Sequence, residues 1–163
     1  MQIEKSVTFI IGTRPEAIKL AMVIKEFDNS SFFKIRVVLT GQHKEMVNEV
    51  LDTFRIKANN NLEVMVHNQS LNYLVSETIR KLHDELIDFR PDLIVVQGDT
   101  SSALAGALSA FHLKIPVAHI EAGLRTDDLN EPFPEEANRR LISQIATIHF
   151  SPTEKAAENL FLP

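Results

Sequence analysis

The run Val7-Thr8-Phe9-Ile10-Ile11 passes directly into Gly12-Thr13-Arg14-Pro15-Glu16-Ala17-Ile18-Lys19, so a buried strand ends in a tight turn and a helix start. Pro15 suits the first helical turn, where its missing N–H costs nothing. Leu20, Val23, Ile24 and Phe27 then recur at the spacing of one apolar helix face. The strand–loop–helix unit repeats along the chain, and that repetition constrains the fold more than any other feature. It predicts a doubly wound α/β domain with a parallel, Rossmann-like sheet. In such a sheet ligands bind outside the carboxyl ends of the strands, and helix N–H groups there favour anions. Two further strand ends carry reactive residues, at Gln97-Gly98-Asp99-Thr100 and at His119-Ile120-Glu121-Ala122-Gly123.

The remaining elements follow from the same patterning. Residues 35–40 read as a second strand ending at Gly41-Gln42-His43, followed by a helix with Met46, Val47, Val50, Leu51 and Phe54 on one side. Asn59-Asn60-Asn61 reads as a polar turn before a short strand over residues 62–66. A long amphipathic helix is expected over 71–89. Pro91 then resets the backbone before Leu93-Ile94-Val95-Val96, a continuous apolar run of the kind a central parallel strand needs. The helix over 101–111 is rich in Ala, Gly and Ser, which permits close approach to the sheet. A fifth strand is expected over 116–120, a helix from Glu135, a sixth strand over 147–150 and a last helix from Ser151-Pro152-Thr153-Glu154. The 163 residues suit one domain, and the unfinished final pattern leads us to expect one half of a larger protein.

Several function classes are disfavoured. No stretch approaches ~18 apolar residues, and the start lacks a basic region feeding a secretory core, which argues against a membrane span or signal peptide. The absence of cysteine excludes disulfide and thiol chemistry. A net charge of -5 without a basic stripe argues against nucleic acid, although one local Arg or Lys is enough to hold a small phosphate ester. Neither a Gly-x-Gly-x-x-Gly fingerprint nor a Gly-Lys-Ser/Thr phosphate loop is present. The histidines, including His43 and His119 near the loops in question, do not have metal-site spacing, and no metal is expected.

Candidate site residues are those at the three strand ends. Arg14 suits a phosphate or carboxylate clamp through its planar fork; the alternative is a salt bridge across the loop. Lys19 is a second binding cation or, alternatively, half of an intramolecular ion pair. Asp99 is a candidate general acid or base whose proton affinity burial and neighbouring carboxylates would raise, or else a helix cap. Glu121 has no capping duty. Glu135 and Glu136 begin a helix, where negative charge is favourable in any case. Asp99, Glu121 and Glu135 together would supply separated carboxylates able to take and return protons on opposite faces of a substrate. Pro132-Phe133-Pro134 reads as a rigid wall, and residues 126–133 as a mobile gating loop.

The residues Gly-Thr-Arg-Pro-Glu-Ala-Ile-Lys at 12–19, Thr-Gly-Gln-His at 40–43, Gly-Asp-Thr at 98–100, His-Ile-Glu-Ala-Gly-Leu-Arg-Thr at 119–126, Pro-Glu-Glu-Ala-Asn-Arg at 134–139 and His-Phe-Ser-Pro-Thr at 149–153 together resemble the UDP-N-acetylglucosamine 2-epimerase family. The resemblance implies a glycosyltransferase-B-like enzyme of two domains, with residues 1–163 as its amino-terminal Rossmann-like half. Most of the UDP pocket and a functional histidine would then lie in a carboxyl-terminal half absent here, leaving this chain inactive by itself. The implied reaction removes the C2 proton as UDP leaves C1, then re-adds UDP and reprotonates the other face, giving UDP-N-acetylmannosamine without nicotinamide or metal. Arg14 and Lys19 match the family's substrate-binding cations, and Asp99, Glu121 and Glu135 its acid/base residues. Gln42 and His43 match a loop where some members bind a second UDP-N-acetylglucosamine as activator. Glu45 in place of Gln, and Gln69 near a usual Arg, weaken attraction to a diphosphate there and argue against that activation. Met22 replaces a usual Pro, a packing change. The family further implies a homodimer in the cytoplasm, serving surface-polysaccharide synthesis. The alternatives are a hydrolysing epimerase that releases UDP and free N-acetylmannosamine, a non-catalytic sugar-nucleotide binding module, or a glycosyltransferase on the same fold.

Overall fold

The computed structural model describes residues 4–161. The elements follow in the order β1 (Lys5–Ile11), α1 (Arg14–Asp28), β2 (Phe33–Leu39), α2 (Lys44–Thr53), β3 (Asn60–Asn61), α3 (Leu71–Asp88), β4 (Leu93–Gln97), α4 (Ser101–His112), β5 (Val117–Ile120), α5 (Glu135–Ile145), β6 (Ile148–Phe150) and α6 (Glu154–Asn159). The strands form one six-stranded sheet in the order β3-β2-β1-β4-β5-β6, and every pairing is parallel. This is the doubly wound, Rossmann-like arrangement that the alternation of strands and helices predicts.

Alternating side chains of the central strands feed two cores. Phe9, Ile11, Val37, Leu39 and Val95 pack with Leu20 and Ile24 of α1 and with Val50 and Leu51 of α2. Ile10, Val38, Ile94 and Val96 point the other way, against Leu82 and Leu86 of α3, Ala103 and Ala107 of α4, and Ile142 of α5. Burial on both faces explains the unbroken apolar run in β4, and each fully buried aliphatic side chain there contributes about 1.5–3 kcal/mol. The small residues of α4 serve the close approach expected of them. A Cβ on Gly106 would lie 3.1 Å from Ile10 and 3.2 Å from Val96, tighter than ordinary contact.

One element differs from expectation. The third strand is Asn60–Asn61, paired with Val38 and Leu39, rather than residues 62–66. Leu62 and Val64 are buried, as their alternation indicates, and their N–H groups reach the carbonyls of Leu39 and Thr40. Glu63 between them has a φ of 49°, which bends the segment out of the ladder.

The sheet order reverses direction between β1 and β4. From β1 the chain winds through α1 to β2 on one side, and from β4 through α4 to β5 on the other. The ladder between these two strands has Phe9↔Val95 as its last pair, so their carboxyl ends part into a crevice bordered by Gly12, Thr13, Gly98 and Asp99.

Candidate active site

The carboxyl ends of β1, β4 and β5 bring most of the expected residues together. Lys19 Nζ donates to both carboxylate oxygens of Glu121, at 2.8 and 2.7 Å. Gln97, the last residue of β4, donates through Nε2 to the same carboxylate. Glu121 has a φ of 67°, an unusual conformation for a non-glycine residue that places its side chain over the strand ends. The ion-pair alternative for Lys19 is thus present, with Glu121 as partner.

Asp99 does not cap α4. Thr100 does so, its hydroxyl accepting from the N–H of Ala103 at 3.0 Å. The Asp99 carboxyl remains directed to the rim, half-buried, with Oδ2 3.2 Å from Nε of Arg139. Its backbone carbonyl is held by Asn138 Nδ2 at 2.9 Å. Burial pushes the Asp99 carboxyl above its ordinary value; Arg139 opposes this, and the charges of Glu135 and Glu121 add to it.

The two glutamates at the start of α5 have different surroundings. Glu136 is fully buried and pairs with Arg140 at 2.7 Å and Arg139 at 3.3 Å. Glu135 is only partly buried, and its charge adds to the raised proton affinity of Asp99. Arg139 therefore ties the rim acid Asp99 to the interior acid Glu136.

Arg14 opens α1 and is exposed; among the described residues no carboxylate pairs with it. The salt-bridge alternative for Arg14 is therefore not realised. The expectation of open backbone donors at this turn needs correction. Glu16 folds back over its own helix end, and its Oε2 accepts the N–H groups of Gly12 at 2.6 Å and Thr13 at 2.7 Å. Two donors of the loop are already occupied, and the Arg14 side chain is left as the group facing outward.

His119 is completely buried between these loops. Its Nε2 lies 2.7 Å from the Gly98 carbonyl, which can only accept, so that nitrogen carries the proton. Burial holds its ionisation down to about 4. Among the described residues no group of three or more His, Asp or Glu side chains is arranged to hold a metal.

Gln42 and His43 lie farther along the rim. Gln42 Oε1 accepts from Ser102 Oγ at 2.8 Å, and the His43 N–H donates to the Gly12 carbonyl at 3.0 Å. They border a cavity of about 600 Å3 shared with Lys44, Glu45, Glu63 and Met65, across which Lys44 pairs with Glu63 at 2.6 Å. Gln69 is engaged locally, its Oε1 accepting from the N–H of Val66. Residues 127–133 are exposed, and Thr126 Oγ1 donates to the carbonyls of Asp128 and Glu131.

Residues 25–162 match the family described as UDP-N-acetylglucosamine 2-epimerase. The chain belongs to the UDP-N-acetylglucosamine 2-epimerase family. The UDP-N-acetylglucosamine 2-epimerase of Neisseria meningitidis is 50% identical over 151 residues, covering 93% of this chain and 41% of that protein. That of Campylobacter jejuni is 45% identical over 156 residues, covering 96% and 41%. Among solved structures, the Neisseria meningitidis UDP-GlcNAc 2-epimerase bound to UDP-GlcNAc superposes with a TM-score of 0.93 at 48% identity, covering 97% of this chain and 43% of that one. The chain thus spans about 41% of the length of these curated relatives. A likeness to Acinetobacter baumannii MurG, at 15% identity and a TM-score of 0.64, concerns the fold alone. No helix among the described residues is long and apolar enough to cross a membrane.

Within this epimerase-family domain the structure adds residues that sequence reasoning did not single out: Glu16, Gln97, Thr100 and Arg139. For Glu16 a signal existed, since Thr13-x-x-Glu16 has the spacing of a capping box. For Arg139 it was weaker: four residues after Glu135, it falls on the same helix face. Gln97 is distinguished only as a polar residue closing an apolar strand.

Proposed function

We propose that this chain forms the amino-terminal half of an enzyme that interconverts UDP-N-acetylglucosamine and UDP-N-acetylmannosamine without hydrolysis. The observation that carries this reading is the half-buried Asp99, its proton affinity raised, on one rim with Glu121 and the cations Lys19 and Arg14. The names of the relatives support the substrate class.

In the proposed reaction Arg14 and Lys19 hold the diphosphate side of the substrate. One carboxylate of the set Asp99, Glu121 and Glu135 takes the C2 proton, and the C1–O bond breaks with its electron pair leaving on UDP. The product of this half-reaction is 2-acetamidoglucal. UDP then adds back to C1 while another acid of the set returns a proton to the opposite face of C2. The sequence of steps is redox-neutral and assigns no role to nicotinamide or metal. A carboxyl with raised proton affinity suits the returning step, because it holds a proton closer to neutral pH. Lys19 on Glu121 would let a substrate phosphate compete for the ammonium and free the carboxylate as it binds.

The second wall of the site, with most of the UDP pocket, is proposed to come from a carboxyl-terminal domain beyond residues 1–163. This accounts for an acid rim that is open rather than enclosed, and predicts no turnover by the isolated chain. A homodimer, a cytoplasmic setting and a gating role for residues 126–133 complete the reading. Gln42 and His43 are proposed to contact any second nucleotide-sugar at the neighbouring cavity, with the Lys44–Glu63 pair weakening its attraction for a diphosphate.

Proton NMR of UDP-N-acetylglucosamine in deuterated water, with this chain joined to its native remaining half, tests the reading. Loss of the C2 proton signal together with UDP-N-acetylmannosamine formation is expected. Accumulation of free UDP and N-acetylmannosamine would move the protein to the hydrolysing class. Absence of exchange in a folded two-domain protein would overturn the catalytic reading.

A further inference from the structure

Glu16 takes no part in the proposed chemistry, yet it is 2% exposed and touches both sides of the crevice. Its Oε2 accepts the N–H groups of Gly12 and Thr13. Its Oε1 accepts the hydroxyl of Thr100, which also caps α4. The residues adjoining these contacts are Arg14 on one side and Asp99 on the other. Backbone pairing does not perform this duty, because the β1–β4 ladder has its last pair at Phe9↔Val95, two residues short of each strand end.

The neighbouring packing makes this tie directional. A Cβ on Gly12 would lie 2.3 Å from Ser102 Oγ, so the turn is already pressed against α4 and cannot approach it further. Ser102 in turn contacts Thr40 Oγ1 at 3.0 Å and Gln42 at 2.8 Å. The Gly12 turn thus abuts α4, and the Glu16 carboxyl is hydrogen-bonded to both loops.

We propose that Glu16 is a positioning residue whose carboxyl bridges the diverging ends of β1 and β4 and so sets the separation between Arg14 and Asp99. This rests on the epimerase reading, in which Arg14 holds the phosphate side and Asp99 acts at C2. Loosening the tie misplaces both, so substrate affinity and turnover fall together. A shift of reacting groups on the order of 1 Å costs roughly 10²-fold in rate. Glu16→Gln preserves the tie, its amide oxygen taking the two N–H groups and its NH₂ facing Thr100 Oγ. Glu16→Ala removes it and leaves a space that fits acetate, whose methyl and carboxylate replace the lost Cγ and carboxyl.

The test compares these variants in the intact two-domain protein. Glu16→Ala is expected to raise KM and lower kcat, with kcat/KM down roughly 10²-fold. Glu16→Gln is expected to stay near wild type, and acetate to restore Glu16→Ala in a saturable manner. A folded Glu16→Ala protein with unchanged kcat and KM would overturn the proposal. So would an impaired Glu16→Gln, or an impaired Glu16→Ala that acetate does not restore. Where Glu16→Ala does not fold, Thr100→Ala removes the other arm, with Thr100→Ser as its control; equal kinetics in the two overturns the proposal as well.

A wild-type protein without turnover would instead remove the functional reading, and the tie is then read on this chain directly. The carbon-13 titration of the Asp99 side-chain carboxyl is expected to move in Glu16→Ala and to stay in place in Glu16→Gln. An unmoved midpoint in Glu16→Ala overturns the positioning role whatever the substrate.

Discussion

Two carboxylates of this domain, Asp99 on the acid rim and Glu63 beside the Gln42–His43 cavity, each face a cation, yet their proton affinities move in opposite directions. Asp99 meets Arg139 in a half-buried corner, and burial raises its proton affinity despite the guanidinium. Glu63 meets Lys44 in the open, and the hydrogen bond and charge of that lysine lower its proton affinity. Desolvation prevails in one place and pairing in the other. A carboxylate with a cationic neighbour is therefore not in itself an acid/base group. What distinguishes the rim is its burial: the pair adjoins a floor of buried polar groups, Glu136, His119 and Glu16.

The largest expected effect follows from that distinction. Asp99→Asn keeps the shape and removes the titrating group, so C2 deuterium incorporation by the intact protein is expected to fall by roughly 10²–10⁴-fold. Retention of near wild-type exchange would transfer the acid/base duty to Glu121 or Glu135 and break the comparison as drawn.

The buried floor has its own pH signature. His119 is neutral in the fold down to about pH 4, whereas in the unfolded chain it binds a proton near its ordinary value of ~6.5. Between those values the unfolded state holds more protons, so His119 lowers stability as pH falls through this window. The full loss is about 3 kcal/mol by the time pH reaches ~4. Asp99 and Glu16, with raised proton affinities in the fold, act in the opposite sense and partly mask it. His119→Gln isolates the histidine, because its Nε2 still donates toward the Gly98 carbonyl but does not titrate. Urea midpoints measured from pH 7 to 4 are expected to decline less steeply in His119→Gln than in wild type. Parallel declines would show that His119 is protonated in the fold and that the floor is wetter than its burial implies.

The sequence was most legible where burial alone decides structure. Leu93-Ile94-Val95-Val96, following Pro91, reads as an interior strand, and the alternating strands and helices point to one parallel sheet. The third strand was hidden because its ladder is made by the backbones of two asparagines, which carry no apolar signal, while the alternation of Leu62 and Val64 marks burial without pairing. At the site, strand ends pointed to Asp99 and Glu121, since polar residues closing apolar strands stand out in any parallel sheet. The capping question at Asp99-Thr100 was undecidable from residue type, because both side chains make good caps. Glu135 and Glu136 differ by about 100° around their helix, so their separation into rim and interior required the packing of Ile142 against the core. Arg139 lies forty positions from Asp99 and meets it only through the fold.

The smallest expected effect sharpens the comparison from the other side. Lys44 and Glu63 are both exposed, joined by a contact of 2.6 Å, and each perturbs the other's proton affinity: the lysine's is raised and the glutamate's lowered. An exposed pair gains little beyond what water already supplies, and salt screens the remainder. Lys44→Ala and Glu63→Gln, singly and together, are expected to leave the thermal midpoint unchanged within error at ~0.15 M salt and to leave C2 exchange unchanged. The double variant should match both singles, with no coupling between them. A coupled change in exchange would mean that this open pair reaches the rim through Gln42 and its contact with Ser102, and the line drawn here between a chemical rim and a passive groove would have to move.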